Sequence, residues 1–330
     1  MITAPAAAAG AALAGLLTGC SVPYDRPAPA GTTTPPSPPG SRTPVGAGAG
    51  QPLAVARTPP PAASGPATVT ATTFTSAARR RQVGMVIVAP ADGGRGGTGP
   101  GAREETGSGV TRGSGEATEG SGGRGLPVCV VLHGRGDDAR RAVGLLGLDL
   151  LLADAIRAGV PPFALVTVDG GTAYWHRRAS GDDPEAMILD EVRPRLAASG
   201  LRTGRLAMMG WSMGGYGVLL LARRHPEVVV AAAASSPAMW QSFGASAPGA
   251  FDSAVDFAAH RVLGTAPAPG VTYRIDCGNA DPFAAVSRQA VTQLRPAEHS
   301  LGPGGHTPDY WRSVAPAQLA FIGTALARAA

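Results

Sequence analysis

The stretch Gly210–Trp211–Ser212–Met213–Gly214 has the clearest capacity for chemistry in this 330-residue chain. A serine hydroxyl attacks a carbonyl well only when a base takes its proton. Here the serine sits between glycines, directly after the apolar run Leu206–Met209 and directly before an apolar segment of helical period. In such a strand–turn–helix setting the turn leaves no room for side chains beside the serine. The helix behind it aims its N-terminal dipole and free N–H groups at the reacting centre. The pattern points to acyl transfer through Ser212. A glycine-rich β–α turn with an idle serine is the competing reading.

A nucleophile of this kind needs a base and an acid that follow it in the chain. Of six histidines, only His225, His260, His299 and His306 lie beyond Ser212. His225 precedes Pro226 at a helix end, where C-capping accounts for it, and His260 reads as a surface residue in the amphipathic stretch Phe251–Leu263. His299 falls in the presumed last strand. His306 follows Gly302–Pro303–Gly304–Gly305 on a loop, as a reaching base must, and is the candidate. For the acid, Asp281 lies just past the strand-like run Val271–Cys277, whereas Asp276 is inside it, with its carboxylate directed at a helix layer. Asp281 is preferred to Asp276 and Glu298, although an N-cap ahead of Pro282 would also explain it. The oxyanion needs preorganised donors. The N–H of Met213 supplies one, and the N–H of Arg135 in His133–Gly134–Arg135–Gly136 is the choice for the other. His133 precedes Ser212 and is expected to shape that loop.

These residues must be held by a scaffold. Pro127–Leu132, Phe163–Val168, Arg205–Met209, Val228–Ala234 and Val271–Cys277 are short continuous apolar runs. Helix-period segments alternate with them at Ala139–Ala158, Pro184–Ala198, Gly215–Arg224 and Pro316–Ala329. That alternation predicts an α/β fold, a mainly parallel sheet with helices on both faces. Ligands bind such sheets at the carboxyl ends of the strands, where every candidate residue falls. Two further strands are expected at Ala71–Ser76 and Gln82–Ala89, around a solvated Arg79–Arg80–Arg81 turn.

Composition bounds the rest. With 47 glycines and 31 prolines, yet 44% hydrophobic and only 15% charged residues, the chain is neither wholly disordered nor compact throughout. The breakers concentrate in a Pro/Ala/Thr-rich linker over residues 21–67 and a Gly/Ser-rich flexible insertion over 90–125, leaving a catalytic domain over 68–330. The net charge of +5 comes with no basic stripe interleaved with aromatics, so nucleic acid is not an expected partner. Three cysteines make no disulfide framework. Ala6–Leu17 has the length of a secretory apolar region, too short to cross a bilayer, and it ends in Leu17–Thr18–Gly19–Cys20. That ending resembles a bacterial lipobox, although no basic residue precedes the stretch. Residues 1–20 are thus expected to act as a lipoprotein-type signal, with Cys20 lipidated and the protein exported and anchored to the outer face of the membrane, or secreted.

Taken together, five stretches resemble the esterase D and antigen 85 branch of the α/β-hydrolases, in particular secreted esterases of actinobacteria. They are Leu132–His133–Gly134, Val168–Gly171 with Tyr174–Trp175–His176, Gly210–Gly215, Asp276–Phe283, and Gly304–His306 with Tyr310–Trp311. The resemblance implies an eight-stranded sheet, a Ser212–Asp281–His306 triad, and Asp169, Tyr174 and Trp175 lining the mouth of the site. Trp211, next to the nucleophile, joins them as a substrate contact. The expected activity is hydrolysis of a small-molecule or lipid ester through an acyl-enzyme. The alternatives are acyl transfer to a sugar or lipid hydroxyl and a non-catalytic envelope-binding role. No cofactor is called for, and the sequence shows no metal-ligand cluster. Because a protonated imidazole cannot act as a base, kcat/KM for a chromogenic ester should fall as the pH drops through the titration of His306. A flat profile from about pH 5 to 8 would contradict the assignment.

Overall fold

The computed structural model describes residues 67–90 and 125–329. The expectations for the signal segment, Cys20 and the linker lie outside the described residues, as does all but the ends of the Gly/Ser-rich insertion. The strands are β1 (Thr68–Ser76), β2 (Arg81–Ala89), β3 (Pro127–Leu132), β4 (Ala164–Val168), β5 (Arg202–Trp211), β6 (Val229–Ser235), β7 (Thr272–Asp276) and β8 (Glu298–Ser300). They form one eight-stranded sheet in the order β1-β2-β4-β3-β5-β6-β7-β8. β1 pairs antiparallel with β2, and β2 antiparallel with β4; every other pairing is parallel. The inner strands are apolar on both faces because both faces are covered: β4 and β6 are buried from end to end.

One helical layer holds α1 (Ala139–Leu146), α2 (Leu148–Arg157) and α8 (Pro308–Arg328), packed with Phe163, Trp211 and Trp311. The opposite face carries α5 (Met213–Arg224), α6 (Ala254–His260) and α7 (Ala284–Leu294), together with a helical run from α3 (Pro184–Ala186) to α4 (Arg193–Ala198). The alanines of β6 present flat surfaces to α5 on one side and α8 on the other.

Three expected helices come out differently. Ala139–Ala158 is two helices, because Gly147 takes a left-handed φ of 69° that ends α1 and opens α2. Pro184–Ala198 widens into a π-helical segment at Met187–Val192, where Arg193 N–H bonds Ile188 O and Pro194 has no N–H to give. The last helix begins at Pro308, eight residues before the expected Pro316. Thr307 caps it, Pro308 fits its first turn, and Pro316 is carried in its interior. The basic turn is also not fully solvated. Arg79 is buried, grips Asp182 at 2.7 and 2.9 Å, and donates to the Asp169 carbonyl.

His225 caps α5 as expected, and its ring also bonds Glu185 at 2.6 Å, tying the helix that follows Ser212 to α3. This hydrogen bond raises the His225 pKa above its usual value against the opposing effect of burial. Burial likewise disfavours the Glu185 carboxylate, but donation by His225 and Arg224 outweighs it and lowers the Glu185 pKa. The histidine's contribution to stability is therefore complete below the ordinary imidazole range and lost as the pH rises through its raised value. His225→Ala should accordingly lower the melting midpoint more at about pH 6 than at about pH 9. An equal loss at both would show that the ion pair contributes nothing.

Candidate active site

β5 ends at Trp211 and α5 begins at Met213, so a single residue makes the turn. Ser212 adopts φ 54° and ψ −119°, a region that side-chain-bearing residues rarely occupy. Its backbone is held on three sides. Ser212 N–H donates to Ser235 O, and its carbonyl accepts from Tyr216 N–H and Ala238 N–H, each at 3.0 Å. The turn also presses against the loop after β3: a Cβ on Gly214 would stand 1.9 Å from Leu132 O. Glycine is required there by close backbone approach.

The candidate base and acid, His306 and Asp281, arrive on two loops zipped together at the carboxyl ends of β7 and β8. Asn279 N–H bonds Gly302 O at 2.8 Å and Ala280 N–H bonds Gly304 O at 2.9 Å. His306, one-quarter exposed, is thereby set beside Asp281, whose carboxylate is fully buried. His306 Nδ1 lies 2.9 Å from Asp281 Oδ2, and Nε2 lies 2.9 Å from Ser212 Oγ. An ionised carboxylate accepts Nδ1–H, which leaves the Nε2 lone pair to accept the Ser212 hydroxyl proton. Burial disfavours charge on Asp281, yet donation by His306, by Phe283 N–H at 2.8 Å and by Ser236 keeps its pKa below the usual carboxylate value.

The other candidates are occupied elsewhere. Asp276 faces the helix layer, fully buried, bonded twice by Arg274 at 2.9 and 3.0 Å and once by Gln318 of α8 at 2.7 Å. Glu298 pairs with the same arginine, and His299 is exposed on β8. His133 shapes its loop, as expected: its Nδ1–H reaches Gly134 O at 2.7 Å and its Nε2 accepts Gly170 N–H at 2.8 Å. Among the described residues, the N–H groups of Met213 and Arg135 donate no hydrogen bond. That leaves both free for an oxyanion.

Three of the expected substrate contacts are corrected. Asp169 does not offer its carboxylate to the site: its oxygens accept Gly84 N–H at 2.7 Å and Ala139 N–H at 2.8 Å, fastening β2 and α1. Trp175 and Trp211 are buried at 0% and 1% exposure, so they support the site from within the core. Tyr174, also buried, packs among Tyr216, Trp240 and Phe251. The partly exposed aromatic wall is instead Trp240 and Phe283, whose ring centroids are 5.7 Å apart, with Phe283 5.3 Å from His306. The position of Trp240, five residues past β6, was the available signal for it.

Sequence reading also missed Ser236, fully buried at φ 46° just past β6. Its Oγ accepts the Trp311 indole N–H at 3.1 Å. An indole only donates, so the Ser236 hydroxyl proton is free for another acceptor, and Ser236 is among the groups that lower the Asp281 pKa. Trp311 in turn stands edge-on to His306 at 5.2 Å. His260 is not a plain surface residue, and a possible metal-ligand cluster does exist: His176, Asp256 and His260 meet beneath α6.

An eight-stranded, mostly parallel sheet with a serine on the turn after β5 is the architecture of an α/β-hydrolase, and solved structures match it. A ferulic acid esterase superposes with a TM-score of 0.61 at 18% identity, over 79% of this chain and 99% of that one. An S-formylglutathione hydrolase from Agrobacterium tumefaciens gives 0.57 at 12% identity, over 79% and 96%. MPT51 (FbpC1) of Mycobacterium tuberculosis gives 0.52 at 18% identity, over 77% and 99%. A comparison with curated proteins finds no match. Residues 118–320 match the family model Esterase, described as "Putative esterase". The chain belongs to this esterase family, and these neighbours are in keeping with the resemblance of its sequence to the esterase D and antigen 85 branch.

If Ser236 steadies Asp281, then Ser236→Ala should reduce kcat on an activated ester about tenfold while KM stays near the wild-type value, a loss on the scale of one charge-assisted hydrogen bond. Unchanged kcat in a folded variant would remove that role.

Proposed function

We propose that this protein is a serine carboxylesterase in which Ser212 is the nucleophile, His306 the general base and Asp281 the residue that orients it. The observation that carries this reading is the continuous chain from Ser212 Oγ through His306 to Asp281, with both links at 2.9 Å. As Oγ attacks the ester carbonyl, its proton passes to His306 Nε2, and the N–H groups of Met213 and Arg135 receive the oxyanion. Collapse of the tetrahedral adduct breaks the bond to the alcohol, which leaves with the proton from His306. A water molecule then gives a proton to the same nitrogen and attacks the acyl-enzyme; the acid departs and Ser212 is restored. Asp281 stays ionised throughout, and its lowered pKa suits it to balance the imidazolium that forms twice per cycle.

The aromatic wall of Trp240 and Phe283 beside His306 favours an apolar or aryl portion in the substrate. A ferulic acid esterase among the structural neighbours is in keeping with that preference. The one-quarter exposure of His306 lets water, the acceptor in hydrolysis, reach the base. Among the described residues no helix is long and apolar enough to cross a membrane. The attachment proposed for the outer face of a membrane is a lipid at Cys20, on the lipobox-like Leu17–Thr18–Gly19–Cys20.

Ser212→Ala should lower kcat/KM on short-chain p-nitrophenyl esters by about a thousandfold or more. A fluorophosphonate should label Ser212 in the wild type and leave the variant unmodified. Equal rates in the two proteins would end this reading.

A further inference from the structure

We propose that His176, Asp256 and His260 bind one divalent transition-metal ion of the zinc class, at a site separate from Ser212. His176 comes from the loop after β4. Asp256 and His260 lie four residues apart on one face of α6. The ligand atoms of all three lie within 4.8 Å of one another. Asp256 Oδ1 is 2.9 Å from His260 Nδ1 and 3.8 Å from His176 Nδ1. Two imidazoles and a carboxylate form a donor set suited to zinc, with a fourth position left for water or a carbonyl.

A second observation concerns His176 alone. Its ring is fully buried, and both nitrogens face backbone carbonyls: Nε2 stands 3.1 Å from Ala250 O and Nδ1 3.0 Å from Arg177 O. A neutral imidazole has one N–H to give. With that proton donated to Ala250, the Nδ1 lone pair confronts the Arg177 carbonyl and the Asp256 carboxylate. Such a meeting of lone pairs calls for a cation, either a proton or a metal. A proton would place its charge on a ring with no exposed surface. A metal, by contrast, requires the neutral ring. An outward N–H held by a carbonyl is also the arrangement that orients metal-bound histidines.

The His176 ring lies between Phe251, 5.3 Å away at 17°, and His260, 4.2 Å away at 25°. Phe251 fixes His176, while coordination turns the half-buried His260 ring out of the stack. The backbone carbonyl of His260 accepts the hydroxyl of Tyr216 on α5 at 2.7 Å. A bound ion would thus clamp the segment from Ala250 to His260 onto the helix behind the nucleophile. The role is structural, since none of the three side chains belongs to the Ser212–His306–Asp281 chain.

The test is to strip the full chain with a chelator, titrate it with zinc by calorimetry, and repeat with cobalt as a spectroscopic probe. One equivalent should bind, cobalt should show the visible absorption of a four-coordinate ion, and saturating zinc should raise the melting midpoint by about 5 °C. Asp256→Asn and His260→Ala, checked for folding by circular dichroism, should lose the equivalent and the shift. His306→Ala should keep both. Absence of saturable binding would overturn the proposal, as would binding that survives the first two variants or disappears with the third. So would a stripped protein in which His176 titrates as an imidazolium and zinc has no effect.

Discussion

The backbone of Ser212 is the constraint around which the rest is arranged. A residue with a side chain at φ 54° carries strain of about 1–3 kcal/mol, and it persists only where its surroundings allow no alternative. Here β6 holds the Ser212 N–H, while α5 and the loop after β6 both hold its carbonyl. The absence of a side chain at Gly214 lets the turn lie against the end of β3. Relaxing the serine would break hydrogen bonds to several elements at once. The strain is sustained by the core, and Ser212 is left partly exposed at the carboxyl edge of the sheet.

The same logic governs the two carboxylates near β7. Asp276 and Asp281 are five residues apart yet have different tasks. Burial raises the Asp276 pKa against the pull of Arg274 and Gln318, and its pairing fastens β7 to α8. Asp281 is past the strand, where the loop returns to meet His306, and its donors lower its pKa. A carboxylate within a strand of a covered sheet is committed to a helix layer, whereas one on the loop can turn to the site.

This distinction was legible before any coordinates, because strand ends and loop glycines are local signals. The serine turn, the order of serine, acid and histidine, the two-sided sheet and the choice of Asp281 over Asp276 all follow from runs of apolar residues and their breaks. Asp169, Trp175 and Trp211 were misplaced because a position near a strand end does not say which way a side chain turns. For Trp175 and Trp211 the large apolar ring is drawn into the core. For Asp169, two backbone N–H groups from distant elements claim the carboxylate. The meeting of Ser236 with Trp311, and of His176 with the Asp256–His260 pair, joins segments far apart in sequence, so neither period nor spacing could announce it. The early start of the last helix was hidden by Pro316, which reads locally as a beginning but is tolerated inside a long, well-packed helix.

The burial gradient along the hydrogen-bonded chain bears on how the site can turn over. Asp281 has no exposed side-chain surface, so solvent screens its charge little where it meets the imidazole. His306 is exposed on one flank, where a proton and a second nucleophile can arrive. If solvent reached Asp281 as well, the field holding the imidazole would weaken; in the proposed mechanism, sealing His306 would keep water from the acyl-enzyme. The loops after β7 and β8 meet both conditions together, since their backbone pairing covers the acid while presenting the base. On the proposed mechanism the pairing of Asn279 with Gly302 and of Ala280 with Gly304 therefore belongs to the working parts of the site, although neither pair contributes a reacting atom.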